Sequence, residues 1–186
     1  MALPEPMVGA PISATGAIAR APLDTALPTD ATTALDPAFE VLGLVGEDGV
    51  SLSTERTRDD KRAWGGQIVR TVQSGYGETI TFTLLESTKL AVLKALFGDA
   101  NVVDAAGKIT IKHNEQTPEK GVFSITIKDG TKLRRLVAGN AQLVMDGDVT
   151  YVHSELISYS VTVTAYPDED GNNIVEYIDT PGTPEA

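Results

Sequence analysis

The sequence predicts a mainly β fold, with two packed β-sheets in a sandwich or partly closed barrel and one flanking α-helix. Two observations support this. Between residues 39 and 178, apolar and polar side chains mostly alternate, which is typical of strands with one buried and one wet face. The period changes to that of a helix near residues 87–97. A chain of 186 residues, 41% of them hydrophobic, is long enough for one core.

The two ends of the chain are predicted to differ from this body. Residues 1–38 contain six prolines among Ala, Thr and Gly, a composition that disfavours helices and central strands. We expect an extended N-terminal arm over 1–38, either disordered or laid across a neighbouring molecule. Residues 179–186 include Pro181 and Pro184 and are expected to form a flexible C-terminal tail. The β domain then spans residues 39–178.

The first strands of the body are predicted over 39–46, 51–55, 67–74 and 78–85, with a tight turn at Gly75-Tyr76-Gly77. The strand 78–85 has the cleanest alternation in this half of the chain. One of its faces carries Thr79, Thr81 and Thr83, and the other carries Ile80, Phe82 and Leu84. Residues 64–98 are thus predicted to form a strand, a turn, a strand and a helix.

The helix is predicted at about 87–97. Ser87 or Thr88 can cap its first turn, and apolar side chains recur at helical spacing up to Phe97. Gly98 stands at the position that ends a helix, where a glycine takes positive φ without strain.

The second half returns to strands. Strands 122–128 and 131–138 are predicted to form a hairpin through Asp129-Gly130, a pair of residues typical of tight two-residue turns. The other predicted strands are 108–113, 141–145, 156–166 and 173–178.

The net charge of −11 is distributed unevenly along the chain. Residues 1–40 carry five acids and one base, residues 41–166 fifteen acids and fourteen bases, and residues 167–186 six acids and no base. The acidic ends either act as solvated tails or repel nucleic acid at a surface that DNA passes. The basic footprint of a sequence-specific DNA-binding protein is missing.

The sequence offers no reactive constellation. It has no Cys, and its two histidines, His113 and His153, lack metal-site spacing. Residues 168–173 resemble a calcium loop but have Asn173 where that loop requires Gly, and we interpret them as an acidic hairpin turn. Nucleotide-binding and nucleophile motifs are absent. We expect a protein that is not an enzyme, binds no cofactor or metal and inserts into no membrane.

Residues 55–64 combine bases and acids of alternating sign and end at the only Trp of the chain. They form either a mobile polar loop or a contact loop, in which the charges pair with another copy of the protein and Trp64 anchors the interface. The candidate contact residues are Arg56, Arg58, Asp59, Asp60, Lys61, Arg62 and Trp64.

Several segments, in order, resemble the major tail (tail tube) proteins of long-tailed, siphovirus-like phages of actinobacteria. The segments are 42–46, the charged stretch up to Trp64, 68–72, 79–86, the helix up to Gly98, 147–151 and 159–168. The resemblance spans residues 39–178 and does not include the N-terminal arm.

The resemblance implies a structural virion protein. Members of that family form rings, usually hexameric, that stack into a tube around the tape measure protein, and the genome is ejected through the lumen. They act with other tail proteins, and we expect this chain to be soluble in the host cytoplasm before assembly. The arm should cross a neighbour, and 56–64 should contact the next ring.

In that family a long hairpin of each subunit joins a continuous inner barrel. Carried over to this sequence, the lumen-lining residues are Thr71, Gln73, Thr79, Thr81 and Thr83. The side chains expected to pack outward are those of Ile68, Val72, Ile80, Phe82 and Leu84. A neutral or acidic lumen would let DNA slide, because it binds few phosphates.

The alternative is a free β-sandwich binding module, such as a capsid decoration or host-surface-binding protein. Such a module would present aromatic side chains at its loop tips, but only 5% of this chain is aromatic. Light scattering discriminates the two: a module stays monomeric at high concentration, whereas a tube protein grows into long particles.

Overall fold

The computed structural model describes residues 6–181. Within them, eleven strands and one α-helix form. The strands before the helix are β1 (Ala10–Pro11), β2 (Ile18–Pro22), β3 (Glu40–Val41), β4 (Val45–Arg62) and β5 (Ile68–Leu84). The helix α1 (Leu90–Phe97) and a 3-10 turn (Asp99–Asn101) precede β6 (Val102–Ala105), β7 (Lys108–Ile111), β8 (Gly121–Asp129), β9 (Lys132–Met145), β10 (Tyr159–Ala165) and β11 (Val175–Asp179).

Nine of these strands belong to one sheet, whose order is β3-β2-β8-β9-β10-β5-β4. In addition, β1 pairs with β8 and β11 pairs with β9, while β6 and β7 form a separate two-stranded sheet beside α1. The predicted mainly β fold with two sheets and one flanking helix is confirmed. The sheet does not close into a barrel within the described part of the chain.

The core lies between one face of the sheet and the helix. From the helix, the buried side chains are Val92, Leu93, Ala95 and Leu96. From the strands, the largest buried side chains in this core are Ile18, Ile80, Leu84, Phe123, Ile125, Leu143, Val161 and Val163. Because each strand alternates, β5 and β10 carry Thr and Ser side chains on the opposite face.

The helix begins three residues later than predicted. Its N-cap is Lys89, which makes no side-chain capping bond, so the expected cap at Ser87 or Thr88 is wrong. The preceding turn is held by Glu86, whose carbonyl accepts the Lys89 N–H at 3.2 Å and whose carboxylate lies 3.3 Å from the Lys89 ammonium. Gly98 ends the helix as predicted, with φ +87° and its N–H donating to the Lys94 carbonyl.

The N-terminal segment is part of the sheet, in contrast to the expected arm over 1–38. β1 and β2 pair antiparallel with β8, and Ile18 and Ala21 are buried. The prediction of an arm without strands was wrong because prolines are tolerated at strand ends. Pro11 and Pro22 are the last residues of β1 and β2, where few ladder hydrogen bonds are lost. Residues 1–5 lie outside the described residues, as do 182–186 of the predicted tail.

The segment 23–39, here called the strap, crosses the other face of the sheet. Below it lies a small cluster of Ala21, Val122 and Val137, with Phe39 and Tyr177 packed against it. The strap is fixed by Arg135, which is 4% exposed. Its guanidinium donates to the carbonyls of Asp30 at 2.9 Å and Thr33 at 2.7 Å and to Thr126 Oγ1 at 3.2 Å.

The hairpin predicted at Asp129-Gly130 forms between β8 and β9, but its turn lies one residue later than predicted. Asp129 still pairs with Lys132, so the two turn residues are Gly130, with φ +57°, and Thr131. β9 is longer than predicted, because Gly139-Asn140 lies inside it at a register shift instead of ending it. The predicted acidic turn forms, but it does not connect a hairpin, because β10 and β11 each pair with β9 and not with each other. The Asp168 carboxylate accepts the N–H groups of Asp170 and Asn172, as in an Asx turn.

Candidate functional site: a protruding ribbon and a hydroxyl face

The outer half of the β4–β5 hairpin projects from the body of the protein. β10 pairs with β5 only from Leu84 to Glu78, and residues 51–74 are all exposed. We call the two-stranded part, residues 55–77, the ribbon. Its eight residues of β4 from Glu55 to Arg62 extend roughly 25 Å at about 3.3 Å per residue. Because isolated two-stranded hairpins are marginal in water, the ribbon is a candidate for contact with other molecules.

The turn of this hairpin is at 63–67, so the predicted turn at Gly75-Tyr76-Gly77 is wrong. The Ala63 N–H donates to the Gln67 carbonyl and the Gly66 N–H donates to the Ala63 carbonyl, both at 2.8 Å. Gly75, Tyr76 and Gly77 lie within β5, opposite Thr57, Arg56 and Glu55. The stretch 55–64, predicted as a loop, is therefore a strand up to Arg62 and turn residues beyond it.

A β-bulge at Ser74 divides β5 into two parts with opposite alternation. Thr57 pairs with Gly75, but the next residue, Arg58, pairs with Gln73, so Ser74 is the extra residue. Side chains directly across a pair of strands share a face. From Gln73 to Arg70, each side chain of β5 therefore lies on the face opposite to the one that unbroken alternation predicts. A second register shift, at Val69, returns Ile68 to the face of Arg62.

The bulge separates the five residues that the sequence placed on one face. Thr79, Thr81 and Thr83 share a face, whereas Thr71 and Gln73 lie on the other, opposite Asp60 and Arg58. Consistently, Thr71 Oγ1 donates to Asp60 Oδ1 at 2.8 Å. Prediction by simple alternation fails here because the extra residue at the bulge shifts the alternation by one position.

The apolar set is divided in the same way. Ile80, Phe82 and Leu84 are buried against the helix layer. Ile68 is 51% exposed and Val72 37%, and Val72 shares the face of the three threonines. Only the base of the hairpin therefore packs into the core, and the ribbon does not.

The wet face of the sheet at the hairpin base carries side-chain hydroxyls on three adjacent strands. Ser51 pairs with Thr81, which pairs with Thr162, and the next row is Ser53, Thr79 and Thr164. We call this surface the hydroxyl face; its members are Ser51, Ser53, Thr79, Thr81, Thr83, Ser160, Thr162 and Thr164. Sequence reasoning identified only the β5 members, because which strands lie beside β5 depends on long-range pairing.

Two acids border the hydroxyl face. Asp48 and Asp146 line the same shallow depression as Thr81 and Thr162. Thr162 Oγ1 donates to Asp146 Oδ2 at 3.1 Å. The members of the hydroxyl face are all Ser or Thr and are uncharged, whereas Asp48 and Asp146 make its border negative.

The seven candidate contact residues are distributed over both faces of the ribbon and its tip. Arg56, Arg58, Asp60 and Arg62 share the face of Thr71, whereas Asp59 and Lys61 lie on the opposite face. Trp64 lies in the tip turn and is fully exposed, at 107% of its reference area. Within residues 6–181, no ion pair within 4.0 Å joins these charges. The ribbon thus carries charge that is not neutralised within the subunit.

One polar cluster stabilises the base of the ribbon. The Arg56 guanidinium lies 4.7 Å from the Tyr76 ring centroid, and Tyr76 Oη donates to Glu78 Oε1 at 2.7 Å. Glu78 Oε1 also accepts from Thr54 Oγ1 at 3.3 Å. The hydrogen bond to the Glu78 carboxylate raises the pKa of Tyr76, because it favours the protonated phenol.

No group of His, Cys, Asp and Glu side chains within residues 6–181 is arranged to hold a metal ion. His113 packs edge-on against Phe97, with ring centroids 4.7 Å apart. None of the helices in the described chain is long and apolar enough to span a membrane.

The projecting ribbon and the sheet edge beside it define the class of protein. β4 is the last strand of the sheet, and its outer edge has no partner within the described residues. Such an edge is a template for pairing with another chain. The class is that of structural proteins whose sheet edge is open to pairing with another chain.

The chain belongs to the phage tail tube protein family, whose model matches residues 8–185. The match includes the N-terminal strands and the strap. A chain from the cryo-EM structure of the anti-feeding prophage cap (AFP tube terminating cap) aligns with 96% of this chain and 95% of its own length. Its identity is 14% and its TM-score 0.45, a likeness that carries no argument about function. No curated protein sequence matches significantly.

Proposed function

We propose that copies of this protein form hexameric rings that stack into the tail tube of a long-tailed, siphovirus-like phage of actinobacteria. The tube surrounds the tape measure protein, contacts other tail proteins and later conducts the genome into the host. The observation that carries this proposal is the ribbon beside an unpaired sheet edge, in a member of the tail tube family.

Pairing between ribbons would give the tube its inner wall. Among the described strands, β4 has an unpaired outer edge along Val45–Arg62. On β5, the edge that β10 covers from Leu84 to Glu78 is unpaired, within residues 6–181, from 77 back to 68. If β4 of one subunit pairs with β5 of the next, the backbone groups of both edges are satisfied around a closed ring. Closure also explains why a ribbon that is marginal alone persists in the assembly.

The hydroxyl face is the surface that suits the lumen. It carries Thr79, Thr81 and Thr83 of the five lumen residues expected from the sequence, whereas Thr71 and Gln73 lie on the opposite face. An uncharged hydroxyl wall binds no phosphate through counterion release, so DNA is not retained. Asp48 and Asp146 at its border would add repulsion.

The ribbon tip is the proposed contact between stacked rings. It carries the charges of residues 56–62 and the exposed Trp64, and the ribbon is long enough to reach beyond its own subunit. Aromatic side chains that become buried contribute strongly to interfaces, and flanking charges fix orientation.

The test is negative-stain microscopy with sedimentation analysis of the purified protein over a concentration series. We expect rings or tubes. The matched variant replaces residues 58–74 by Asn-Gly, which joins Thr57 to Gly75 in a two-residue hairpin. It should keep the circular dichroism spectrum and remain monomeric. A wild-type protein that stays monomeric at all concentrations, and is absent from purified virion tails, would contradict the proposal.

A further inference from the structure

An apolar pocket lies at the open end of the core, where the base of β4 passes β1 and the turn after it. Its volume is about 340 Å³. The apolar side chains that line it are those of Pro11, Ala14, Ala17, Val45, Val50 and Ile127. A pocket of this size accommodates a group as large as an aromatic side chain.

The tip of the ribbon carries a side chain of matching chemistry. Trp64 is fully exposed and is the only Trp in the chain. An indole that is exposed to water at the tip of a hairpin lacks the burial that makes Trp a frequent anchor of interfaces.

Trp64 cannot enter the pocket of its own subunit. The pocket is lined by Val50, and β4 runs without interruption from there to Arg62. Twelve residues of strand separate these two positions by roughly 40 Å. Any Trp64 in this pocket therefore comes from a second copy.

Charge around the two surfaces is complementary. At the tip, Lys61 lies directly opposite Arg70, and Arg62 is the next residue. At the pocket, Glu47 is an exposed lining residue and Asp48 is its exposed neighbour. Opposite charges at the rim orient an incoming partner and speed its association at low ionic strength.

We propose that the receptor for the ribbon tip is this apolar pocket of another copy, with Trp64 inserted and the tip cations facing Glu47 and Asp48. The inference rests on the proposed tube function and names the surface that receives the tip. Because tip and pocket are different surfaces, the contact is heterologous. Its repetition therefore does not stop at a dimer, and between stacked rings it continues as an open filament.

Trp fluorescence, excited at wavelengths that Tyr does not absorb, tests the insertion, since Trp64 is the only Trp of the chain. On assembly we expect a blue shift and protection from acrylamide quenching. Ala14→Phe, which fills the pocket, should abolish both or prevent assembly, whereas Ala38→Phe, at another exposed alanine, should change neither. Assembly without a shift overturns the inference and leaves the tube function intact. A shift that persists in Ala14→Phe also overturns it.

Disulfide trapping identifies the receptor surface, because the chain has no native Cys. The double variant Gly65→Cys with Glu47→Cys should give a ladder of oligomers on a non-reducing gel, and Gly65→Cys alone at most dimers. The matched double variant Gly65→Cys with Glu169→Cys places the second thiol at a different acidic cavity.

The gel and the micrographs together distinguish failure of the pocket contact from failure of the proposed tube function. A ladder in the matched control instead of the test pair, or no ladder in a sample that shows tubes, overturns the pocket as receptor. No ladder in a sample without rings or tubes overturns both the pocket contact and the tube function.

Discussion

Lys61 lies directly across from Arg70 in the outer half of the ribbon, and no carboxylate of residues 6–181 forms an ion pair with either. Like charges that face each other across two strands destabilise a hairpin. The isolated ribbon is therefore weakened at the place where an acidic surface of another subunit would relieve the repulsion.

This pair predicts opposite effects of one substitution on the ribbon and on assembly. Arg70→Glu creates a Lys61–Glu pair and should stabilise the isolated ribbon by roughly 0.2–1 kcal/mol, seen as slower amide exchange in monomeric protein. The same change should raise the concentration needed for tubes, measured by sedimentation. Easier assembly of the variant would be evidence against an acidic receptor.

Trp64→Ala should impair stacking without affecting the fold. The side chain contacts only water in the subunit, so the free energy of unfolding should change by no more than about 0.5 kcal/mol. Tube length in micrographs measures stacking. Tyr151→Ala, at an aromatic side chain that is 73% exposed, is the control. If Trp64→Ala gives tubes of normal length, the contact role of the tip is rejected.

A positive charge on the hydroxyl face should make the lumen retain DNA. Thr81→Lys introduces an ammonium group on a wall that carries only hydroxyls, so assembled tubes should bind short duplexes with a salt-dependent affinity. Co-sedimentation at two salt concentrations measures this. Thr110→Lys, on the exposed strand β7, should show much weaker binding. Equal binding by the two variants would count against a lumen position for Thr81.

Arg135→Met should destabilise the subunit by about 3 kcal/mol, because the strap carbonyls of Asp30 and Thr33 lose their buried charged donor. Burial lowers the pKa of Arg135, but not enough for it to lose its charge at neutral pH. Arg134→Met, which removes a half-exposed ion pair with Glu176, should cost under about 1 kcal/mol. Urea denaturation measures the free energy of unfolding of both variants. Similar losses of stability would disprove that Arg135 holds the strap.

The lowered pKa of Asp30 predicts that the strap becomes less stable in acid. Hydrogen bonds from Thr33 and Thr32 hold the pKa of Asp30 well below its usual range. A carboxyl whose pKa is lower in the folded state contributes stability above its unfolded pKa of about 3.9, and this is lost as the pH falls through the folded value. The protection of the amides of residues 30–33, which is their exchange rate relative to the intrinsic rate at the same pH, should therefore fall below about pH 4. In Asp30→Asn that pH dependence should be absent, and its persistence would assign it to another group.

Local chemistry predicted part of the fold. The positions of Gly98 and Gly130 were identified from the sequence because each requires a residue that tolerates positive φ. The strand 78–85 was identified because its alternation reflects one buried face. These signals lie within a few residues of the element that they define.

Pairing between strands that are far apart in the sequence could not be predicted from local residue patterns. The charged stretch 55–62 is a strand because β5 pairs with it, although its own composition indicates a loop. The bulge at Ser74 has no local signature, so Thr71 and Gln73 were assigned to the wrong face. The N-terminal strands are held by β8, more than a hundred residues further along the chain.

The most direct test of the account is a cryo-EM reconstruction of tubes assembled from the purified protein. We predict rings of six subunits, a continuous inner barrel of β4–β5 ribbons and Thr79, Thr81 and Thr83 facing the lumen. Tubes in which these threonines face the exterior, or in which the ribbons do not pair, would contradict it.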